Sequence, residues 1–199
     1  IESSQQAYAR GDWSFFDRAL PAAHRWRAVG DLGERALYVD IETNGGMGPD
    51  DLTVLGTFDG RTVRSFVAGR DLEQAADHLA SFPLWVTYNG ALFDVPFIRR
   101  RFRYTNFNHI HIDLRYPLHR LGYRGGLKKV EQLAGLARAE RTRGLDGWDA
   151  VRLWRGWQCG QAGALELLLE YNAEDVRNLK PLMELVHREM SARLAPESA

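Results

Sequence analysis

Apolar and polar positions alternate in two different rhythms from residue 36 onward, and these rhythms predict strands and helices in turn. Short continuous apolar runs indicate buried strands, and runs with apolar residues on one helical face indicate helices. The predicted strands are Ala36–Ile41, Leu52–Phe58, Arg61–Val67, Leu84–Tyr88 and His109–Leu114. The predicted helices are Asp71–Ala80, Leu92–Phe102, Gly126–Leu136 and Trp148–Met190, the last with breaks near 156–163 and near Pro181.

The connections between these elements predict the kind of sheet. Asp59-Gly60 separates two runs of strand-forming residues, which is a strong hairpin signal, so the first strands are expected to be antiparallel. Helices separate the later strands. This order predicts an α/β domain with three layers, in which a mixed five-stranded sheet has helices on both faces.

The chain length fits one domain of this kind, which we place at residues 36–190. Residues 1–35 mix aromatic and charged side chains and are read as an N-terminal arm that packs on the domain, or as a linker segment. Residues 191–199 are read as a polar tail.

Composition narrows the choice of partners and compartment. The formal net charge is zero, so nucleic acid would have to be bound by local patches or through metal ions. The single cysteine, Cys159, excludes a disulfide within the chain and fits a reducing compartment. No apolar run is long enough for a membrane span and no signal peptide is visible, so a cytoplasmic protein without membrane contact is expected.

Two acids interrupt the first predicted strand. Asp40 and Glu42 are two residues apart, so both side chains point to one face of the strand, roughly 7 Å apart along it. The residues around them are apolar, which indicates a central strand. Acids buried in such a strand need a partner, whereas on a solvent-facing strand they would need none.

Two further acids follow in similar surroundings. Asp94 lies in the first turn of a predicted helix, just after the strand end at Asn89-Gly90, where ligand sites of α/β sheets often lie. Tyr171 and Asp175 are four residues apart and share one helix face. Carboxylates are the ligands that Mg²⁺ and similar cations prefer, and a pair of such ions is typical of phosphoryl chemistry.

These segments resemble the three motifs of the DEDD superfamily of 3′–5′ exonucleases. Asp40-Ile41-Glu42 resembles the first motif and Asn89-Gly90 through Asp94 the second. Tyr171-x-x-x-Asp175 resembles the tyrosine version of the third motif, known as DEDDy. The layout between the motifs, including Gly126 through Glu131, is similar to the YprB-like branch of ribonuclease H-like proteins, and the resemblance covers about residues 36–187.

The resemblance implies a ribonuclease H-like fold and hydrolysis of nucleic acid from a single-stranded 3′ end, DNA or RNA, with release of nucleoside monophosphates. It implies two divalent cations, Mg²⁺ or Mn²⁺, held by Asp40, Glu42, Asp94 and Asp175. Tyr171 would orient the attacking water, since a phenol is a weak base at neutral pH. The candidates for substrate binding are Thr43, Asn89, Phe93, Arg100 and Lys128.

Other readings stay open at this point. The same scaffold could carry a structure-specific endonuclease, or a nucleic-acid-binding domain without catalysis. The basic and aromatic run Arg99–Phe107 could hold phosphates or could be a solvated helix end. His109, His111 and Asp113 share one face of a strand and are read as ordinary strand residues, with Asp113 capping the next helix or bonding near the site.

Overall fold

The computed structural model describes residues 1–194 and is built on a mixed sheet of five strands. The strands are β1 (Ala36–Thr43), β2 (Leu52–Phe58), β3 (Val63–Val67), β4 (Leu84–Thr87) and β5 (Ile110–Asp113). Their order across the sheet is β3-β2-β1-β4-β5. The β1–β2 and β2–β3 pairs are antiparallel, whereas β1–β4 and β4–β5 are parallel. The predicted mixed sheet is therefore confirmed, with β1 at its centre.

Helices cover both faces of the sheet. They are α1 (Glu2–Ala9), α2 (Trp13–Ala19), α3 (Val29–Leu32), α4 (Ala75–Ala80), α5 (Asp94–Arg101), α6 (Arg115–Leu121), α7 (Leu127–Leu133), α8 (Gly147–Gln158) and α9 (Ala164–Ala192). Short 3₁₀ turns occupy 22–28, 33–35, 49–51 and 72–74. None of the helices within 1–194 is long and apolar enough to cross a membrane.

The alternation of side chains along β1 decides which residues meet which layer. Leu37, Val39 and Ile41 pack in a core with residues of α4 and α5. Tyr38, on the other face, packs in a core with the carboxyl-terminal half of α9. Because side chains alternate, Asp40 and Glu42 share the face of Tyr38 and point toward α9.

Several predicted bounds differ from the structure, and α6, between β5 and α7, was not predicted. Two of the differences have a clear cause. The hairpin is present, but β3 begins at Val63 and not at Arg61, because the Asp59 carboxylate accepts hydrogen bonds from the backbone N–H groups of residues 61 and 62 and keeps them in the turn. The expected break near Pro181 is absent, since α9 runs through it. An internal proline costs a helix about 3 kcal/mol, and burial of Leu179, Leu182 and neighbouring apolar residues offsets that cost.

The segment before β1 is largely helical and contacts the domain. Trp26 and Leu32 are buried in the core that α9 forms with the sheet, and the Asn108 side chain donates a hydrogen bond to the Gly11 carbonyl. These contacts favour a packed arm over a free linker. Of the expected polar tail, residues 195–199 lie outside the described part of the chain.

The buried histidine of β5, His111, makes stability depend on pH. Burial lowers the pKa of His111 to about 3, with Arg25 and Arg99 adding repulsion. The unfolded chain therefore binds a proton near pH 6.5 that the folded chain refuses, and stability is lost as the pH falls from there toward 3. Between pH 6.5 and 5 the protein loses free energy of unfolding. We expect His111→Gln, which can keep a hydrogen bond to Thr87, to reduce this loss by up to about 2 kcal/mol. Urea unfolding at several pH values measures this effect. If the free energy of unfolding of the variant changed with pH as steeply as that of the unaltered protein, the prediction would be contradicted.

Candidate active site

The site is built around the two acids of the central strand. Glu42 is 8% exposed and Asp40 is partly buried, although both carry a carboxylate. Asp40 lies opposite Gly56 of β2 in the antiparallel pair. The position on β1 places both acids against α9, where further polar side chains meet them.

Asn172 of α9 holds the Asp40 carboxylate. Its Nδ2 donates to Asp40 Oδ2 at 2.8 Å, and the residue is fully buried. Glycine at position 56 makes this approach possible, since a Cβ there would lie 1.8 Å from Asn172 Oδ1. The sequence analysis did not identify Asn172 or Gly56, and only their place between strand and helix reveals their role.

We expect Gly56→Ala to lower the free energy of unfolding by about 1–3 kcal/mol, because the added methyl group overlaps Asn172 and must push it from Asp40. Urea unfolding measures the change. Gly30→Ala is the control, since the nearest atom to its Cβ lies 4.0 Å away. Combining Gly56→Ala with Asn172→Ala should restore part of the loss, and a purely additive double variant would argue against the clash.

Asp94 reaches β1 from the opposite layer of the protein. It is the first residue of α5, it is 4% exposed, and its Oδ1 accepts a hydrogen bond from the Ile41 backbone N–H at 3.1 Å. This bond ties the start of α5 to the strand between the two acids. Burial raises the pKa of Asp94 to about 7.

Asp175 completes a cluster of three carboxylates. One oxygen each of Asp40, Glu42 and Asp175 lies within 4.8 Å of the others, a spacing that a shared cation can bridge. Asp94 is close to the strand but is not a member of this cluster. Acids at positions 40, 42 and 175 of the chain thus converge, as the motif spacing predicted.

The cluster is electrostatically unfavourable as long as its acids are charged. Burial, then repulsion from Asp175 and Asp94, raises the pKa of Asp40 well above its ordinary value. Burial and Asp175 raise the pKa of Glu42 to about 8. A buried group of acids with such pKa values favours any cation that enters among them.

Two basic residues already contact Asp175. Lys128 Nζ donates to both of its oxygens, at 2.6 Å to Oδ2, and Arg138 Nη2 donates to Oδ1. The positive charge of Lys128 offsets part of the rise in the pKa of Asp40 and Glu42 that burial and the other acids cause. A divalent cation that binds Asp175 would therefore compete with the Lys128 ammonium group.

Arg138 is anchored by a second acid that does not face the cluster. Glu131 of α7, which is 1% exposed, accepts two hydrogen bonds of 2.6 Å from the Arg138 guanidinium. The Arg138 side chain is itself only 8% exposed. Arg138 therefore forms a buried ion pair with Asp175 and does not face solvent. Its partners lie 7 and 37 residues away, so no local pattern indicated them.

Tyr171 lies beside the cluster as a neutral phenol. It is 4% exposed, and Lys128 Nζ lies 4.2 Å from the centre of its ring. Burial, together with Asp175 and Glu42, raises the pKa of Tyr171 above its ordinary value, so the hydroxyl keeps its proton. Such a group can donate or accept a hydrogen bond but is not a base at neutral pH.

The turn after β4 forms the rim of the site. Asn89 has a φ of 63°, a left-handed conformation that asparagine tolerates better than most residues. Asp113 holds this turn, since its carboxylate accepts hydrogen bonds from the N–H groups of Asn89 at 2.7 Å and Ala91 at 3.0 Å. It also accepts one from the N–H of Arg115, the first residue of α6. The bonds to Asn89 and Ala91 are the expected ones near the site, whereas Leu114 and not Asp113 is the N-cap of α6.

These residues enclose a cavity of about 260 Å³. Its lining includes all five predicted catalytic residues, which are Asp40, Glu42, Asp94, Tyr171 and Asp175. It also includes four of the predicted substrate-binding residues, which are Thr43, Asn89, Phe93 and Lys128. Arg100 is not brought to the cavity: it is exposed on α5, with its guanidinium 4.8 Å from the Phe97 ring.

The donor set fits divalent cations that prefer oxygen ligands. The cluster offers carboxylate oxygens within bridging distance, and these acids are buried in surroundings that disfavour their charged forms without a cation. Asp40, Glu42 and Asp175 would hold one ion. Asp94 lines the same cavity.

Sheet order, helix layers and acid cluster together define a ribonuclease H-like α/β domain. A family model described as the RNase_H superfamily matches residues 37–187, and the chain belongs to that superfamily. Membership supports a hydrolytic nuclease that acts on nucleic acid. No curated protein matches the sequence.

Among solved structures, the chain is similar to the family B DNA polymerase from the hyperthermophilic archaeon Pyrobaculum calidifontis. The TM-score is 0.60 and 20% of the aligned residues are identical. The match covers 76% of this chain and 24% of the polymerase chain. At this level of identity the similarity shows a shared fold.

Proposed function

We propose that this chain is a metal-dependent 3′–5′ exonuclease of the DEDDy type, with a motif layout similar to that of the YprB-like branch. The observation that carries the proposal is the convergence of Asp40, Glu42 and Asp175 within 4.8 Å of one another, in a cavity that Asp94 and Tyr171 also line. The substrate would be a single-stranded 3′ end of DNA or RNA, and the product a nucleoside monophosphate.

The proposed role of Asp40 follows from the residues around it. Asp175 and Asp94 are both near enough to Asp40 to raise its pKa, so Asp40 would contribute to both of two cation sites. Asn172 fixes its carboxylate at 2.8 Å. When bound, Mg²⁺ or Mn²⁺ would activate a water and stabilise the charge that develops on the phosphate. The chain's own contribution is to hold these acids close together and partly shielded from solvent.

Tyr171 would orient the attacking water by a hydrogen bond. We expect Tyr171→Phe to lower the turnover rate by roughly ten- to a hundredfold, because the variant loses one positioned hydrogen bond but keeps the aromatic packing. Affinity for Mn²⁺, measured by calorimetry, should stay the same. Unchanged turnover would remove Tyr171 from the mechanism.

Four side chains in the cavity lining would contact the substrate. Among residues 1–194, Lys128 is the basic residue in the cavity lining, and on release from Asp175 its ammonium group would bind a phosphate oxygen. Phe93 offers an aromatic ring to the terminal base, while Thr43 and Asn89 offer polar groups at the rim. A contact by Arg100 would require the strand to extend beyond the cavity.

One incubation series tests the function. Single-stranded DNA, duplex DNA and RNA, each labelled at the 5′ end in one set and at the 3′ end in another, are incubated with Mg²⁺, Mn²⁺ or EDTA. Mononucleotides from the 3′-labelled strands and a ladder of shortening 5′-labelled strands support the exonuclease. Internal fragments would instead indicate an endonuclease, and intact strands under every condition would favour a binding domain without catalysis.

A further inference from the structure

A second cavity, of about 420 Å³, lies at the opposite end of the parallel strands from the acidic cavity. The acidic cavity opens where β1 and β4 end, whereas this one lies beside residues 105–109, just before β5 begins. The two cavities thus flank opposite ends of α5, whose first residue is Asp94 and whose last turn contains Arg99. Its size is that of a typical site for a small ligand.

Three arginines surround this second cavity. Arg18 comes from α2, Arg99 from the last turn of α5, and Arg103 from the segment that follows α5. Within residues 1–194 none of them forms an ion pair. The chain as a whole has no net charge, so this concentration of unpaired positive charge is a local feature.

Asp17, the acid among the described residues of this lining, already has an ion-pair partner. Asp17 forms an ion pair of 2.9 Å with Arg25, and its Oδ1 accepts a hydrogen bond of 2.9 Å from the His111 backbone N–H. It is therefore not free to neutralise the three arginines. The cavity keeps an excess of positive charge that an anion would balance.

His109 forms a buried part of the lining and has no hydrogen-bond partner. It is 2% exposed, and neither ring nitrogen is bonded within the described chain. Its ring stacks on Trp85 at 3.7 Å with an angle of 7° between the planes, which fixes its orientation. Burial lowers the pKa of His109 to about 3, so the neutral ring offers one N–H donor. Buried polar groups are nearly always bonded, and a ligand in the cavity would supply the missing partner.

We propose that this cavity binds a phosphate group, carried by a free nucleotide or by a nucleic-acid strand. Guanidinium groups of Arg99 and Arg103 would pair with phosphate oxygens, and the His109 ring N–H would donate a hydrogen bond to the same group. The half-buried ring of Phe107 lies in the same lining and offers a surface for a base. The binding uses no residue of the acidic cavity and does not depend on the proposed nuclease activity.

Calorimetry in EDTA tests the site, because without metal ions the acidic cavity has little attraction for phosphate. The probes are inorganic phosphate, a nucleoside 5′-monophosphate and a short single-stranded DNA oligonucleotide. We expect Arg99→Gln combined with Arg103→Gln to weaken binding by at least about tenfold, since two charge-assisted hydrogen bonds are lost. The control is Arg61→Gln with Arg64→Gln, an equal charge change on the β2–β3 hairpin at the far edge of the sheet, and it should bind as the unaltered protein does.

A nitrogen-15 spectrum of the histidine rings gives a second readout on the unaltered protein. Phosphate or nucleotide should shift the His109 ring signals and slow the exchange of its N–H proton. Equal affinity for the monophosphate and the oligonucleotide assigns the site to free nucleotides, while binding of the oligonucleotide alone assigns it to a strand. The proposal is overturned if none of the three probes binds in EDTA, or if the double arginine variant binds as tightly as the unaltered chain.

Discussion

Replacing Asp40 by asparagine is expected to lower metal-dependent nuclease activity by roughly a thousandfold or more, equivalent to about 4 kcal/mol of transition-state stabilisation. Asp40 lies near Glu42 and Asp175, and Asn172 orients its carboxylate. Asparagine keeps the size of the side chain but lacks the charge that a cation needs.

Stability separates this loss of activity from unfolding. The pKa of Asp40 is raised by burial and by neighbouring acids, so its charge opposes folding when no cation is present. We expect Asp40→Asn to unfold in EDTA at the same urea concentration as the unaltered protein, or at a higher one. Asp77→Asn, on the exposed side of α4, is the matched control and should retain full activity. Activity within a few fold of normal in Asp40→Asn would defeat the assignment of the site.

Replacing Arg138 by methionine is expected to lower the free energy of unfolding by about 3–5 kcal/mol, the usual consequence of leaving a buried charge without its partner. Glu131 is 1% exposed and takes two hydrogen bonds from Arg138, and Asp175 takes another. Methionine fills similar space but offers these acids no donor. Urea unfolding at neutral pH measures the loss.

Two further variants isolate the ion pair. Arg141→Met removes an arginine whose side chain is 66% exposed and pairs with Glu170, so we expect a change below about 1 kcal/mol. Arg138→Met combined with Glu131→Leu replaces both partners by apolar groups and should recover much of the stability. A loss in Arg138→Met as small as that in Arg141→Met would show that Glu131 finds another partner or takes up a proton.

Local sequence patterns predicted the sheet well because each strand carries its own signal. The apolar runs of β1, β2 and β4 and the turn at Asp59-Gly60 depend on neighbours a few residues away. Such patterns failed where distant contacts outweigh local preference. Pro181 remains within α9 because residues on both sides of it are buried against the sheet. Rules based on neighbouring residues do not include the stabilisation that comes from such burial.

The acids that line the cavity were predictable for a related reason. Asp40 and Glu42 stand out in an otherwise apolar strand, and the spacing of Tyr171 and Asp175 places them on one helix face. The residues that support them were not predictable. Asn172 and Gly56 matter only because α9 crosses β2 at that point.

The sequence alone determined the order of strands and helices, the central position of β1 and the identity of the acids, because these follow from side-chain periodicity and from residue chemistry. Tertiary structure alone decided which charges neutralise one another. Arg138 and Lys128 meet Asp175, whereas Arg99 and Arg103 are left to surround a separate cavity with His109. Ion pairing depends on distance in space, and separations of 37 and 47 residues along the chain carry no trace of it.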